Sequence, residues 1–170
     1  MLPKNSTQVD YECELGVVIG RHARHVHRSE ALRYVAGYLP FHDVSARDYQ
    51  HRTSQWTLGK SFDGFAPRGP ALVTAGEVDD PHSLDIQLTV NGEVLQRSNT
   101  RHLIFPVDVL IEELSSVMTL EPGDVIATGT PSGVGTARKP QRFLRPGDVV
   151  HIEIDKLGVL ENPVEAEARE

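Results

Sequence analysis

An α+β fold dominated by β-structure is predicted by three features of this sequence. Runs with strand character outnumber helical ones. They do not alternate regularly with helices, which disfavours a doubly wound parallel sheet. Two of them flank Asn91-Gly92, a dipeptide suited to the type I′ turn of a hairpin.

The elements follow in chain order. Residues 12–19, Glu-Cys-Glu-Leu-Gly-Val-Val-Ile, read as a strand. Ser29 can cap a helix whose apolar residues Leu32, Val35, Ala36 and Leu39 recur at helical spacing, with Pro40 closing it. Residues 84–90 and 93–96 are the two arms of the Asn-Gly hairpin. A second helix is expected over 107–118, with Leu110, Ile111, Leu114, Val117 and Met118 on one side. Residues 125–128 and 149–154 read as strands, the second with alternation in His-Ile-Glu-Ile. Pro-Gly-Asp stands at 122–124 and again at 146–148, each time before a β-type run, which marks a turn used twice and not a duplicated domain. With no linker or low-complexity tract, residues 1–170 read as one domain.

A chain of 170 residues with 39% hydrophobic and 24% charged residues can bury a core without a covalent staple. The net charge of −7 argues against nucleic acid and anionic membrane as partners. It leaves room for an anionic substrate, because a local cation inverts the field inside a cleft. The single cysteine, Cys13, excludes an intrachain disulfide, so the default expectation is a reducing, cytoplasmic compartment. No apolar run approaches the roughly 20 residues of a membrane span, and the first residues show no signal-peptide core.

Four stretches carry candidate chemistry. In a strand, Glu12 and Glu14 point to the same face. Two adjacent carboxylates repel, and a hard divalent cation resolves that conflict; the plainer reading is a solvated strand edge. Asp43 stands in a polar segment after Pro40 and also suits a simple turn. Lys60, in Gly-Lys-Ser-Phe-Asp-Gly, can offset acidic neighbours or hold a substrate oxygen, or it can snorkel on a loop. Residues 129–135 form a glycine-rich loop whose N–H groups can cradle an anion, although the ending of a phosphate loop is absent. His22, His25 and His27 do not have zinc-site spacing, and Arg21, Arg24 and Arg28 among them would repel a cation.

These motifs occur in a fixed order. Asp-Tyr-Glu-Cys-Glu-Leu at 10–15 is followed by His-Asp-Val-Ser-Ala-Arg-Asp at 42–48. Gly-Lys-Ser-Phe-Asp follows at 59–63, and Gly-Asp-Val-Ile-Ala-Thr-Gly-Thr-Pro at 123–131. Together they resemble the catalytic domain of the fumarylacetoacetate hydrolase family over nearly the whole chain. His42 before Asp43, Ala-Leu-Val-Thr at 71–74 and Asp-Pro-His at 80–82 resemble the domain-containing-protein-2 subgroup.

The resemblance implies a mainly-β roll or sandwich with a few helices. It implies that Glu12, Glu14 and Asp43 bind Mg²⁺ or Mn²⁺, with Ca²⁺ a further candidate. Arg47, Gln50, Lys60 and Thr130 match substrate-contacting positions, and Lys60 is the candidate catalytic group. The implied substrate is a small 2-oxo acid, and the implied assembly is a homodimer. Hydrolysis of a C–C bond in an acylpyruvate or β-diketone is the first expectation. Oxaloacetate tautomerisation or decarboxylation, or dienoate isomerisation, is the alternative; a module that only binds metal and 2-oxo acid is another. Family members usually carry a lid with a water-activating histidine before the Glu-x-Glu strand, whereas eleven residues, none of them histidine, precede Glu12 here.

Overall fold

The computed structural model describes residues 1–168. Two four-stranded antiparallel sheets face each other across one core. The first has the order β5-β3-β2-β8, built from β2 (Cys13–Ile19), β3 (Val35–His42), β5 (Val73–Thr74) and β8 (Val125–Ala127). The second has the order β10-β9-β6-β7, from β6 (Asp85–Val90), β7 (Glu93–Asn99), β9 (Val149–Ile154) and β10 (Gly158–Pro163). A two-stranded pair joins β1 (Val9–Asp10) to β4 (Ser45–Ala46). The α+β, mainly-β expectation holds.

The inward faces follow period-two patterning. Leu15, Val17 and Ile19 of β2 meet Ile86, Leu88 and Val90 of β6 and Val150, Ile152 and Ile154 of β9 in one buried cluster. The other face of β2 carries Val18, which packs with Leu39 and Phe41 in a smaller cluster. The Asn91-Gly92 hairpin forms as expected, with positive φ at both residues (52° and 81°), as its turn requires.

The helix expected after Ser29 does not form. Arg28–Ala31 makes one helical turn, α1, continued by a 3-10 turn at Leu32–Tyr34, and the chain then enters β3. His27, not Ser29, supplies the cap, accepting a bond from Ser29 N. The helical spacing of Leu32, Val35, Ala36 and Leu39 does not mark one face: Val35 packs in the main core, Ala36 and Leu39 lie in the smaller cluster, and Leu32 is exposed. Ile19 pairs with Val35 but Val18 pairs with Gly37, so Ala36 is an extra residue in a bulge. The bulge turns both Val35 and Tyr38 into the core. Pro40 lies within β3, where its carbonyl accepts from Gly69 N on the side away from β2. Its missing N–H therefore costs no bond in the β2–β3 ladder.

The second helix is present as α3 (Val107–Val117), but its buried positions are Val107, Ile111 and Ser115. Leu110 and Leu114 pack at the margin of the core, while Val117 and Met118 are exposed, so the expected apolar side is too wide at its end. Among the described residues, no helix is long and apolar enough to cross a membrane.

Candidate metal centre and adjoining groove

The β2–β3 ladder assembles the acidic cluster. Cys13 pairs with His42, and one step further Asp43 N donates to Glu12 O at 3.0 Å, which sets Asp43 beside Glu12. Strand pairing, and not the expected helix, returns the chain to this point. Glu12, Glu14 and Asp43 each present a carboxylate oxygen, and these atoms lie within 4.8 Å of one another. Among the described residues no other group of three candidate metal ligands occurs, so the histidines at 22–27 form no such site. His22 instead contacts Glu121 at 2.8 Å in solvent.

Two cations hold the cluster together. Pairing of Asp10 with Ser45 brings in α2 (Arg47–Gln50), whose Arg47 is 4% exposed. Arg47 donates from Nε to Asp10 at 2.9 Å, from one terminal nitrogen to Gln50 at 2.9 Å, and from the other to Glu12. Lys60 reaches Glu12 at 2.9 Å and also bonds Asp43. Gly59 permits this reach: a Cβ there would meet the backbone of Gln50 at 2.8 Å, so only glycine lets the Lys60 segment lie against α2.

The glycine-rich loop closes the opposite side. Gly129 N donates to Glu14 at 2.7 Å. The Thr130 hydroxyl donates to Cys13 O at 3.0 Å and accepts from Gln96 Nε2 at 2.8 Å. Beside this loop lies a groove of about 470 Å³, lined by Thr130 and Ser132 with Leu15, His102, Leu103 and Phe105.

Burial governs the charges. It pushes Glu14 up to about 7, against the help of the Gly129 N–H, and the neighbouring Asp43 and Glu12 add to the rise. Burial likewise raises Asp43, with Lys60 opposing. Lys60 is held above its ordinary range: burial disfavours its charge, but its bonds to Asp43 and Glu12 win. His42 is fully buried, which lowers it to about 4, and its Nδ1 meets Asn162 at 2.9 Å.

With Asp10 included, four carboxylates face two cations here, leaving a formal excess of two negative charges. An all-oxygen donor set with that excess fits a hard divalent cation such as Mg²⁺ or Mn²⁺. A consequence for pH follows from Glu14. Its folded pKa is raised from an ordinary 4.5, so the fold favours the protonated form. This contribution to stability is complete below about 4.5 and is lost as pH rises through about 7. A divalent cation needs the ionised form. Melting of chelator-treated protein is therefore expected to fall between pH 5 and pH 8, and the increment added by Mg²⁺ to grow over the same range. A Mg²⁺ increment that shrinks with pH would contradict this.

All seven residues named from the sequence lie in or beside this centre: Glu12, Glu14, Asp43, Arg47, Gln50, Lys60 and Thr130. Two further buried polar residues, Asp10 and Gln96, belong to this centre. Asp10 is fully buried and accepts from Tyr11 N, Gly135 N, Thr136 N and Arg47. Its place at the head of the Asp-Tyr-Glu-x-Glu run was the available signal. Gln96 reaches the centre from the other sheet, and nothing local in the sequence marks it.

The family model for the fumarylacetoacetate (FAA) hydrolase C-terminal domain matches residues 1–165. The oxaloacetate tautomerase fahd2, mitochondrial, of Xenopus laevis is 50% identical over 165 residues, covering 96% of this chain and 52% of that protein. The oxaloacetate tautomerase FAHD2A, mitochondrial, of Homo sapiens is 52% identical over 166 residues, covering 96% and 53%. The chain thus spans about half the length of the curated relatives it matches. A fumarylacetoacetate hydrolase from Exiguobacterium antarcticum superposes with a TM-score of 0.93 at 44% identity, covering 96% of this chain and 58% of that one. The maleylpyruvate hydrolase of Sphingobium sp. SYK-6, in complex with manganese(II) ion and pyruvate, gives 0.87 at 37% identity, covering 99% and 59%. The names of the curated relatives correct the cytoplasmic expectation, since both are called mitochondrial. A single cysteine does not tell one compartment from another.

Proposed function

Because the chain belongs to the fumarylacetoacetate hydrolase family, we propose that it is a divalent-metal-dependent enzyme acting on a small 2-oxo acid, with enol–keto interconversion of oxaloacetate as its reaction. The observation that carries this reading is the convergence of Glu12, Glu14 and Asp43 with Lys60 and Arg47 at one point of the fold. The order of the sequence expectations is reversed: the curated relatives named oxaloacetate tautomerases support the alternative better than hydrolysis.

When bound, the cation supplies Lewis acidity toward the keto and carboxylate oxygens of the substrate. Glu12, Glu14 and Asp43 are the residues that hold it. Arg47 keeps Glu12 oriented while each of its three nitrogens is engaged, with Asp10, Gln50 and Glu12 respectively. Lys60 remains protonated, so its part is to place positive charge beside the reacting oxygen and to donate a proton, not to remove one. Thr130, which also lines the groove beside the glycine-rich loop, is the residue this reading places against the rest of the substrate. Tautomerisation needs only proton movement, whereas hydrolysis also needs an activated water, so it asks less of this set of residues. The second reading, C–C hydrolysis of an acylpyruvate, is supported by the fold shared with a maleylpyruvate hydrolase.

The test is turnover of oxaloacetate and acetylpyruvate with and without Mg²⁺ or Mn²⁺, with oxalate as inhibitor. Oxalate mimics the planar enolate of pyruvate in charge and shape, so it should compete at sub-millimolar levels. Metal-dependent loss of the enol absorbance of oxaloacetate is expected, faster than any cleavage of acetylpyruvate. Brisk turnover in chelator, or indifference to millimolar oxalate, overturns the reading.

A further inference from the structure

We propose that Gln96 is a positioning residue for this centre, holding the Thr130 loop at a set distance from the Glu12–Glu14 strand. The inference rests on the proposed metal and 2-oxo acid site. It concerns a side chain from the opposite sheet that touches none of the three carboxylates. Gln96 lies on β7 and is 1% exposed. Its Oε1 accepts from Cys13 N at 3.0 Å, the amide between the two glutamates. Its Nε2 donates to the Thr130 hydroxyl and to Pro131 O, both at 2.8 Å. The Thr130 hydroxyl returns a bond to Cys13 O at 3.0 Å, so the ring of contacts closes on Cys13.

The reason for this device lies in the sheet. β8 pairs with β2 only at Gly16, Val17 and Val18, so the outer edge of Cys13 has no neighbouring strand. A buried N–H and C=O without partners are costly. The Gln96 amide and the Thr130 hydroxyl take the place of the missing strand. One consequence bears on substrate. The Thr130 hydroxyl has a single proton, and that proton is given to Cys13 O. It can serve a ligand only as an acceptor, or by its backbone N–H, for which no partner is found among the described residues. Gln96 thus decides where that N–H stands relative to Glu14, whose own contact, Gly129 N, is the preceding residue.

Glu12 and Asp43 are held by Arg47 and Lys60, not by Gln96. Loss of Gln96 should therefore affect ligand binding more than metal binding. Calorimetry on Gln96→Met is expected to show oxalate affinity, at saturating Mg²⁺, reduced about tenfold, the equivalent of one net hydrogen bond. Mg²⁺ affinity should change less than about threefold. In metal-free protein, amide exchange at Cys13 should quicken at least tenfold by NMR, a readout independent of the loaded enzyme. Because Gln96 and Thr130 act as one unit, adding Thr130→Val to Gln96→Met should weaken oxalate little further. Gln96→Glu keeps the length and the acceptor for Cys13 but lacks the amide donor. It should show the same loss of oxalate affinity, and it carries the test if the Met variant does not fold. The proposal is overturned if both variants bind oxalate as the parent does, if Mg²⁺ affinity falls in step with oxalate, or if the two losses multiply in the double variant. Failure of the parent protein to bind oxalate would instead remove the 2-oxo acid reading beneath it.

Discussion

Replacing Asp10 by alanine is expected to destabilise the protein by about 3–5 kcal/mol, the usual range for breaking a buried ion pair from one side. The size follows from what is stranded. Arg47 stays buried with one carboxylate partner fewer, and the N–H groups of Tyr11, Gly135 and Thr136 lose their acceptor. Gly135 is packed closely as well: a Cβ there would sit 1.7 Å from Arg142 O, which limits how the loop can rearrange. Asp10→Asn keeps an acceptor oxygen but not the charge, and should cost on the order of 1.5–3 kcal/mol. Urea unfolding measures both: the midpoint falls while the slope is unchanged if only the native state is affected. A cost below about 1 kcal/mol for Asp10→Ala would mean that Arg47 is held by its other partners. Arg47→Lys is a milder probe of the same support, since lysine loses the planar fork that serves Asp10 and Glu12 together.

Glu14→Gln is expected to weaken Mg²⁺ and Mn²⁺ on the order of 100-fold or more, beyond the 10–100-fold typical of partners outside the ligand set. It should also raise the melting temperature of metal-free protein above pH 7. The two effects share one cause. Glu14 is buried and held near pKa 7, so above that pH the metal-free fold carries a charge it disfavours. Glutamine keeps an oxygen for the Gly129 N–H and removes the charge. Asp43→Asn should lose metal affinity similarly, but its stability gain should be smaller, because Lys60 already bonds Asp43. Calorimetry and thermal melts over pH 6–8 give both quantities on the same samples. Undiminished Mg²⁺ binding in both variants would remove the cluster as a metal centre.

Much of this molecule could be read from local rules. The Asn91-Gly92 hairpin, α3, β8 and β9 each obey a short-range pattern, and each is present. The strand at 158–163 has no clear signal in the sequence because Gly158, Asn162 and Pro163 are poor strand formers, tolerated here at the edge position of β10. Leu32, Val35, Ala36 and Leu39 imitate a helix in their spacing, although Val35 and Leu39 pack on opposite faces of β3. The site residues were legible in a different way, through the order of four motifs rather than through any one of them.

The sequence by itself determined the alternation that makes two sheets, the pairing of Glu12 and Glu14 on one strand face, and the excess of acids around them. Those properties depend on neighbours within a few positions along the chain. Only the tertiary structure decided which cations meet those acids, that Asp10 anchors Arg47, and that Gln96 replaces a missing strand beside Cys13. These contacts join residues 17 to 83 positions apart. Their partners are chosen by sheet register and by the need to satisfy every buried polar group, and neither condition acts locally along the sequence.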